Sequence, residues 1–243
     1  MDRKIILYVL SAAALGFIGI MMMMPNDRSD GVVRLPWLVS TDVQGRAQVF
    51  GFTIGVTTLG DIRTVFGEEG KINLFSHADR DERFSVDAYF DQMYLNGLRA
   101  DFVITLDVGQ QDLAAMYERG LRISELGSGG KKIKLTPGDI EVLTQRPIRV
   151  ITYLPWKSLD AEILEKRFGK PEQMLVEKDT SVTHWLYADK GMDIGLDRDG
   201  GVVIQYVNPD EFEKLIAPLK SQQDPTASTG RPGVESVAEP SSS

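Results

Sequence analysis

The chain has 243 residues, with 27 basic and 35 acidic side chains, a formal net charge of −8, two histidines and no cysteine. The absence of cysteine excludes disulfides, zinc–thiolate sites and cysteine nucleophiles, and two histidines leave little room for a multi-histidine metal centre. An acidic chain is also a poor non-specific binder of nucleic acid, because that binding needs lysine and arginine to displace counterions.

Residues 5–24 predict a transmembrane helix. The stretch carries no charged residue, and at 1.5 Å per residue it would span roughly 30 Å, the thickness of a bilayer's hydrocarbon core. Arg3 and Lys4 precede it, so the positive-inside bias keeps the amino terminus in the cytoplasm and exports the rest of the chain. We therefore expect an uncleaved signal anchor, single-pass in a bacterial inner membrane, with the main domain in the periplasm. Cleavage after Ala14 is the alternative.

The rest of the chain divides by composition into a linker, a domain and a tail. The tail is rich in serine, proline, threonine and glycine, which predicts disorder. Trp37 in the linker would lie either at the membrane interface or against the domain. The predicted boundaries are 1–24 for the cytoplasmic stub and anchor, 25–45 for the linker, 46–125 for a first unit, 126–148 for a connecting segment, 149–220 for a second unit and 221–243 for the tail.

The domain contains two stretches with the same order of elements. The first has an apolar strand at 49–54, then Thr57 and Thr58 as hydroxyl caps of an apolar helix that ends in Phe-Gly. The second repeats this order, with a strand at 149–154 and a helix capped by Ser158. Antiparallel strands and a short helix come next in both. The sequence thus predicts an α+β fold, an N-terminal transmembrane helix followed by two tandem helix-plus-antiparallel-sheet units, and leaves open whether they share one sheet.

The second stretch is similar to the small BamE-like (SmpA/OmlA) envelope domain. The similarity lies in RFGKPEQ (167–173), HWLY (184–187) and LDRDGGVV (196–203), and the first stretch departs from it at Glu68-Glu69-Gly70, where a proline is expected. A tandem pair of such units is the architecture of the β-lactamase inhibitory protein family. The resemblance implies an extracytoplasmic binding or assembly-accessory domain without a cofactor.

Neither histidine lies in a recognisable catalytic motif. His77 begins a run of alternating acidic and basic residues, 77–83, which predicts a solvated loop, and His184 alternates with Trp185 in a strand. The acidic run at 193–200 lacks the first and last ligands of a calcium loop and predicts a hairpin turn. We therefore expect no enzyme, no catalytic residue and no metal site. An exported hydrolase with an unrecognised site, and a ligand-binding sensor with an apolar cleft between the units, are the alternatives.

Aromatic residues in the predicted strands give the sharpest site hypothesis. They are Tyr89, Phe90, Tyr94, Trp185, Tyr187 and Tyr206. Trp185 and Tyr187 share one face of a strand and Leu186, the better core residue, takes the other, so the two aromatics are expected to point outward. Large aromatics on an open sheet face form protein-binding surfaces. We therefore expect Trp185, Tyr187 and Tyr206 to contact another cell-envelope protein.

Overall fold

The computed structural model describes residues 31–77, 84–127, 129–178 and 180–223. The chain divides into two compact units, Met1–Val33 and Arg34–Ser243. Of the smaller unit only residues 31–33 are described, and every helix and strand below belongs to the larger one.

Strands outweigh helices in the larger unit. The strands are β1 (Ser40–Thr41), β2 (Ala47–Val49), β3 (Phe52–Thr53), β4 (Lys71–Ser76), β5 (Phe84–Leu95), β6 (Leu98–Leu106), β7 (Arg122–Glu125), β8 (Lys131–Lys134), β9 (Ile148–Pro155), β10 (Gln173–Val176), β11 (Thr183–Tyr187), β12 (Met192–Leu196) and β13 (Val202–Tyr206). The helices are α1 (Leu59–Phe66), α2 (Gln110–Glu118), α3 (Pro137–Thr144), α4 (Ala161–Phe168) and α5 (Phe212–Gln223), with 3-10 turns at Ala188–Lys190 and Pro209–Glu211.

One long sheet runs through the whole domain. It is antiparallel, has ten strands, and has the order β10-β11-β12-β13-β9-β6-β5-β4-β8-β7, while β1, β2 and β3 form a small sheet of their own. β6, from the first predicted unit, pairs with β9, from the second, over Ala100 to Leu106. The two stretches are therefore halves of one sheet.

The predicted fold class, a transmembrane helix followed by two tandem α+β units, is therefore wrong. The domain is mostly β, and its two halves share one ten-stranded sheet, a point that the sequence left open. The physical reason lies at β6 and β9, because separate sheets would leave both strands with an edge of unpaired backbone groups. Periodicity within a unit carries no information about which strands pair between units.

The predicted membrane anchor and inner-membrane location are corrected as well. In the described ranges no helix is long and apolar enough to cross a membrane. Residues 5–24, on which the prediction of an anchor depended, lie outside the described residues. The single-pass inner-membrane assignment therefore has no support.

Local capping signals were predicted with mixed success. Thr58 caps α1 and forms a capping box with Asp61, and Gly67 ends that helix with φ 68°. The cap of α4 is Asp160, whose carboxylate accepts the Ile163 N–H, and the prediction of Ser158 is wrong. Ser158 lies too early, because the chain after β9 runs two residues further before the helix begins.

Apolar residues pack against both faces of the sheet. The main core includes an aromatic group of four, in which the rings of Phe50, Phe102, Tyr153 and Tyr206 pack with centroids 5.2–5.7 Å apart. A smaller cluster lies on the opposite face, where α5 contributes Phe212 and Ile216 over Leu186 of β11. The sheet is therefore covered on both faces at its β11 end.

The segment before β1 is packed on the domain. The Tyr206 hydroxyl donates a hydrogen bond of 2.7 Å to the Pro36 carbonyl, and the Arg34 guanidinium donates to the Phe50 carbonyl at 2.9 Å. Trp37 meets the edge of Phe168, and Arg167 lies 4.6 Å from the Trp37 ring centroid. Of the two places open to Trp37, the structure selects the domain.

Candidate functional site

The three predicted contact residues are buried. Trp185 is 6% exposed, Tyr187 2% and Tyr206 0%. The Tyr187 hydroxyl donates to the Gly169 carbonyl at 2.8 Å, and burial with the charge of Glu165 raises the pKa of Tyr187 to about 12. The expectation that Trp185 and Tyr187 face outward is wrong.

The error comes from the assumption that the sheet has only one covered face. Leu186 is buried as predicted, but it packs in the smaller cluster beneath α5, while Trp185 and Tyr187 enter the main core. Tyr206 lies on β13, between β12 and β9, where its ring meets Phe50. Both faces of β11 are thus core, an arrangement that alternation along a single strand does not reveal.

Exposed aromatics lie instead at the middle of the sheet, on the face opposite the main core. Tyr94 of β5 is 65% exposed, and Trp156, just after β9, is 51% exposed. Tyr89 lies on β5, and Arg99 and Asp101 lie on β6, the antiparallel neighbour of β5. We call these five residues, Tyr89, Tyr94, Arg99, Asp101 and Trp156, the aromatic platform.

Asp101 holds the platform together. Its carboxylate accepts hydrogen bonds of 2.8 Å from the Tyr89 hydroxyl, the Trp156 indole N–H and the Gln92 backbone N–H. Burial alone would raise the pKa of Asp101, but these three hydrogen bonds and the charge of Arg99 lower it below its usual value. Asp101 is therefore a charged hub that fixes two aromatic side chains.

Arg99 completes the platform by stacking on its rings. The guanidinium carbon lies 3.4 Å from the Trp156 ring centroid and 5.7 Å from that of Tyr94. One guanidinium nitrogen donates to the Gln92 side chain at 2.7 Å, whereas the buried Nε has no partner among the described residues. Such cation–π contacts restrict both the ring and the cation before any partner binds.

A bulge in β5 aims these side chains. The register between β5 and β6 shifts between Phe90 and Met93, and Gln92 within the bulge has a positive φ of 58°. Its N–H turns toward Asp101 as a result. Bulges and left-handed non-glycine residues of this kind store local strain and occur preferentially at functional sites.

Sequence reasoning found part of this surface. Tyr89 and Tyr94 were among the strand aromatics considered for an open face, and both lie there. Trp156 was missed, because it comes after the strand at 149–154 and falls outside its alternation. The sequence carries no signal for it, because its partners Arg99 and Asp101 lie on β6, which meets β9 only through long-range pairing.

We expect the Asp101→Asn substitution to destabilise the domain by about 1–3 kcal/mol. The new amide group brings N–H donors to a site where three donors already share the carboxylate. At least one of these three N–H or O–H groups therefore loses its acceptor. Urea unfolding at pH 7 measures the change. The control is Asp91→Asn, whose carboxylate is 45% exposed and pairs with Lys71, and which should change the free energy of unfolding by about 0.5 kcal/mol or less. Equal effects of the two substitutions would contradict the hub role.

The two histidines lie apart from the platform. His184 is mostly buried, and its Nδ1 lies 2.9 Å from the Asp193 carboxylate on the adjacent strand. His77 Nε2 lies 3.2 Å from the Ser85 hydroxyl, and residues 78–83, the remainder of its acidic and basic run, lie outside the described residues. Within the described ranges no group of three or more metal-ligating side chains is close enough to hold an ion.

Stability should depend on pH through His184. Burial alone would lower its pKa, but the hydrogen bond to Asp193, with the charges of Asp193 and Glu177, raises it above the ordinary value. Because the pKa of His184 is higher in the folded state than in the unfolded state, its protonation stabilises the folded domain. This contribution is complete below about pH 6.5, the pKa in the unfolded state, and is lost as pH rises through the folded-state pKa. Unfolding of the native chain and of the His184→Gln variant can be measured at several pH values between about 5 and 9. The difference between their free energies of unfolding should decrease as pH rises. A constant difference would contradict this.

A polar cleft of about 390 Å³ lies where the two halves of the sheet meet. The charged side chains that line it are Asp107, Arg149, Asp210 and Glu211. Arg149 donates to Glu211 at 3.0 Å, and although burial alone would raise the pKa of Glu211, this contact lowers it. The alternative prediction of an apolar cleft between the units does not match this lining, and a ligand-binding role stays a prediction.

Comparison with known proteins gives one distant structural similarity. No protein-family model matches it, and no match is found among curated proteins. Among solved structures it is similar to a DUF4309 family protein, YjgB, from Bacillus subtilis, with 14% identity and a TM-score of 0.34 over 68% of this chain and 88% of that one. The BamE-like resemblance stays a prediction.

Proposed function

We propose that the chain is a protein-binding domain and that the aromatic platform is its contact surface. The observation that carries the proposal is the exposure of Tyr94 and Trp156, at 65% and 51%, in an arrangement fixed by Asp101 and Arg99. Tyrosine, tryptophan and arginine are the residues enriched among interface hot spots. Rings held in place before binding lose less conformational entropy on association than mobile side chains do.

The position of the aromatic platform on the sheet favours a protein partner over a small-molecule ligand. Two surface clefts, one lined around Arg149 and the other around Lys132, contain no platform residue. The surrounding side chains bring both signs of charge, with Lys71 5.6 Å from the Tyr89 ring centroid and paired to Asp91. Apolar rings with charges of both signs around them match the core and rim of a protein interface.

The same contacts argue for a non-catalytic role. Asp101 is charged and its carboxylate already accepts three hydrogen bonds, so it has little capacity to act as a base. The buried His184 and Asp193 are fixed to each other on another part of the sheet. We therefore infer that any partner is bound, not converted.

Photo-cross-linking from the platform tests this function. A photoreactive phenylalanine analogue would replace Tyr94 or Trp156, one at a time, in the full chain expressed in its own cells. The same analogue at Val142 or Met174, which are 49% and 53% exposed, provides the matched controls, since both are exposed apolar residues outside the platform.

The expected result is one protein adduct shared by the two platform positions and absent from the two controls. Adducts that appear equally at all four positions, or at none, would contradict the proposal. An adduct found only at Met174 would move the contact surface to the β10 edge of the sheet.

A further inference from the structure

A second surface cleft, of about 310 Å³, lies near the other end of the sheet, beside the start of β4 and the end of β8. Its charged lining is entirely basic among the described residues, and consists of Lys71, Arg122, Lys132 and Lys134. The whole chain is acidic, with a net charge of −8. A cleft lined by four cations in such a chain concentrates positive charge where the average is negative.

The strand register forces these cations together. Arg122 and Lys134 are direct cross-strand partners, and Lys132 lies opposite Ser124 two residues further along. Like charges directly opposite each other destabilise a strand pair. Within the described part of the chain, Lys71 has a carboxylate partner, Asp91 at 3.2 Å, whereas Arg122, Lys132 and Lys134 have none. A bound anion would relieve this repulsion.

The rest of the lining is suited to an organic molecule. Ile72 and Ile140, both partly exposed, supply apolar surface above the buried Leu135, and Asn73 and Ser124 supply neutral polar groups. Leu135 is 1% exposed, so this floor is continuous with the protein interior. The volume lies at the lower end of the range for small-molecule sites, about 300–1,000 Å³.

We propose that this cleft binds a small organic phosphate, and this proposal is independent of the protein-binding function. The phosphate group would lie among Arg122, Lys132 and Lys134, and the organic part would cover Ile72 and Ile140. Three cations that have no carboxylate partner among the described residues match a doubly charged phosphate monoester better than a singly charged carboxylate. Arginine adds paired N–H donors in the geometry that phosphate oxygens accept.

Nuclear magnetic resonance titration of the full chain with three probes tests the site. Phenyl phosphate carries the double charge and a ring, inorganic phosphate lacks the ring, and benzoate has the ring with a single charge. We expect saturable shifts confined to residues 71–73, 122–124, 132–135 and 140, with phenyl phosphate binding at least about threefold tighter than either other probe at low salt.

The double variant Lys132→Gln/Lys134→Gln should bind phenyl phosphate at least about tenfold more weakly. Lys214→Gln/Lys220→Gln is the matched control, because it removes the same charge from exposed positions of α5 and should retain affinity within about twofold. All of these lysines are exposed, so the variants should keep the native spectrum.

Three outcomes would overturn the proposal. One is the absence of saturable shifts at the cleft up to about 10 mM phenyl phosphate. Another is an equal loss of affinity in the control variant, which would mean general attraction to positive charge. The third is inorganic phosphate binding as tightly as phenyl phosphate, which would show that the apolar residues of the cleft do not contribute to binding.

Discussion

Replacing Tyr206 by alanine should lower the free energy of unfolding by about 3–5 kcal/mol, the cost typical of removing a buried aromatic ring. The ring is fully buried against Phe50, and its hydroxyl donates to the Pro36 carbonyl. Loss of both contacts would leave a cavity at the centre of the aromatic core and release the segment before β1. Urea unfolding monitored at 25 °C measures the change.

Two further substitutions keep this test interpretable. Tyr206→Phe retains the ring and removes the hydroxyl, so it should cost about 1–3 kcal/mol through the unsatisfied Pro36 carbonyl. Tyr94→Ala, at a position 65% exposed, should change stability by about 0.5 kcal/mol or less. If Tyr206→Ala lowered the free energy of unfolding as little as Tyr94→Ala, the result would contradict the burial of Tyr206 in the aromatic core.

Replacing both Tyr94 and Trp156 by alanine should weaken binding of the cross-linked partner by at least about 100-fold. Each ring, as an interface hot spot, contributes about 2 kcal/mol or more, and 1.4 kcal/mol corresponds to a tenfold change in affinity. Titration calorimetry with the purified partner measures the loss. The control, Val142→Ala with Met174→Ala, removes exposed apolar groups elsewhere and should leave affinity within about threefold.

The single variants separate binding from folding. Trp156 also donates to Asp101 and stacks on Arg99, so its loss should reduce stability as well as affinity. The ring of Tyr94 makes a more distant contact, with its centroid 5.7 Å from the Arg99 guanidinium carbon. Reduced affinity in Tyr94→Ala at unchanged stability is therefore the result expected of a contact residue, and unchanged affinity would contradict that role.

Local chemistry was readable from the sequence. Thr58 caps the start of α1 and Gly67 ends it, because a hydroxyl cap and a left-handed glycine satisfy the terminal backbone groups of the helix. Asn96 and Gly97, both with positive φ, form the turn between β5 and β6, and this residue pair is typical of tight hairpin turns. The two stretches also share their order of helix, antiparallel strands and helix. Each of these features depends on neighbours within a few residues.

The sequence does not show which strand faces are covered by elements that lie far away along the chain. Whether Trp185 faces solvent depends on the main core that packs on its face of β11, and whether Leu186 is buried depends on α5, a helix that begins 26 residues later at Phe212. The joining of β6 to β9 likewise involves pairing between the two stretches. Alternation along one strand divides its residues into two faces but does not tell which face another element covers. Sequence reasoning therefore found only two of the five platform residues, Tyr89 and Tyr94.

Hydrogen–deuterium exchange of the full chain, alone and with the cross-linked partner, tests the protein-binding surface most directly. Exchange resolves which backbone segments a partner covers without altering any side chain. We predict slower exchange at 89–101 and 152–157 on binding, with no change at the β10 edge, 173–176. Protection at 173–176 without protection at 89–101 would contradict the aromatic platform as the contact surface.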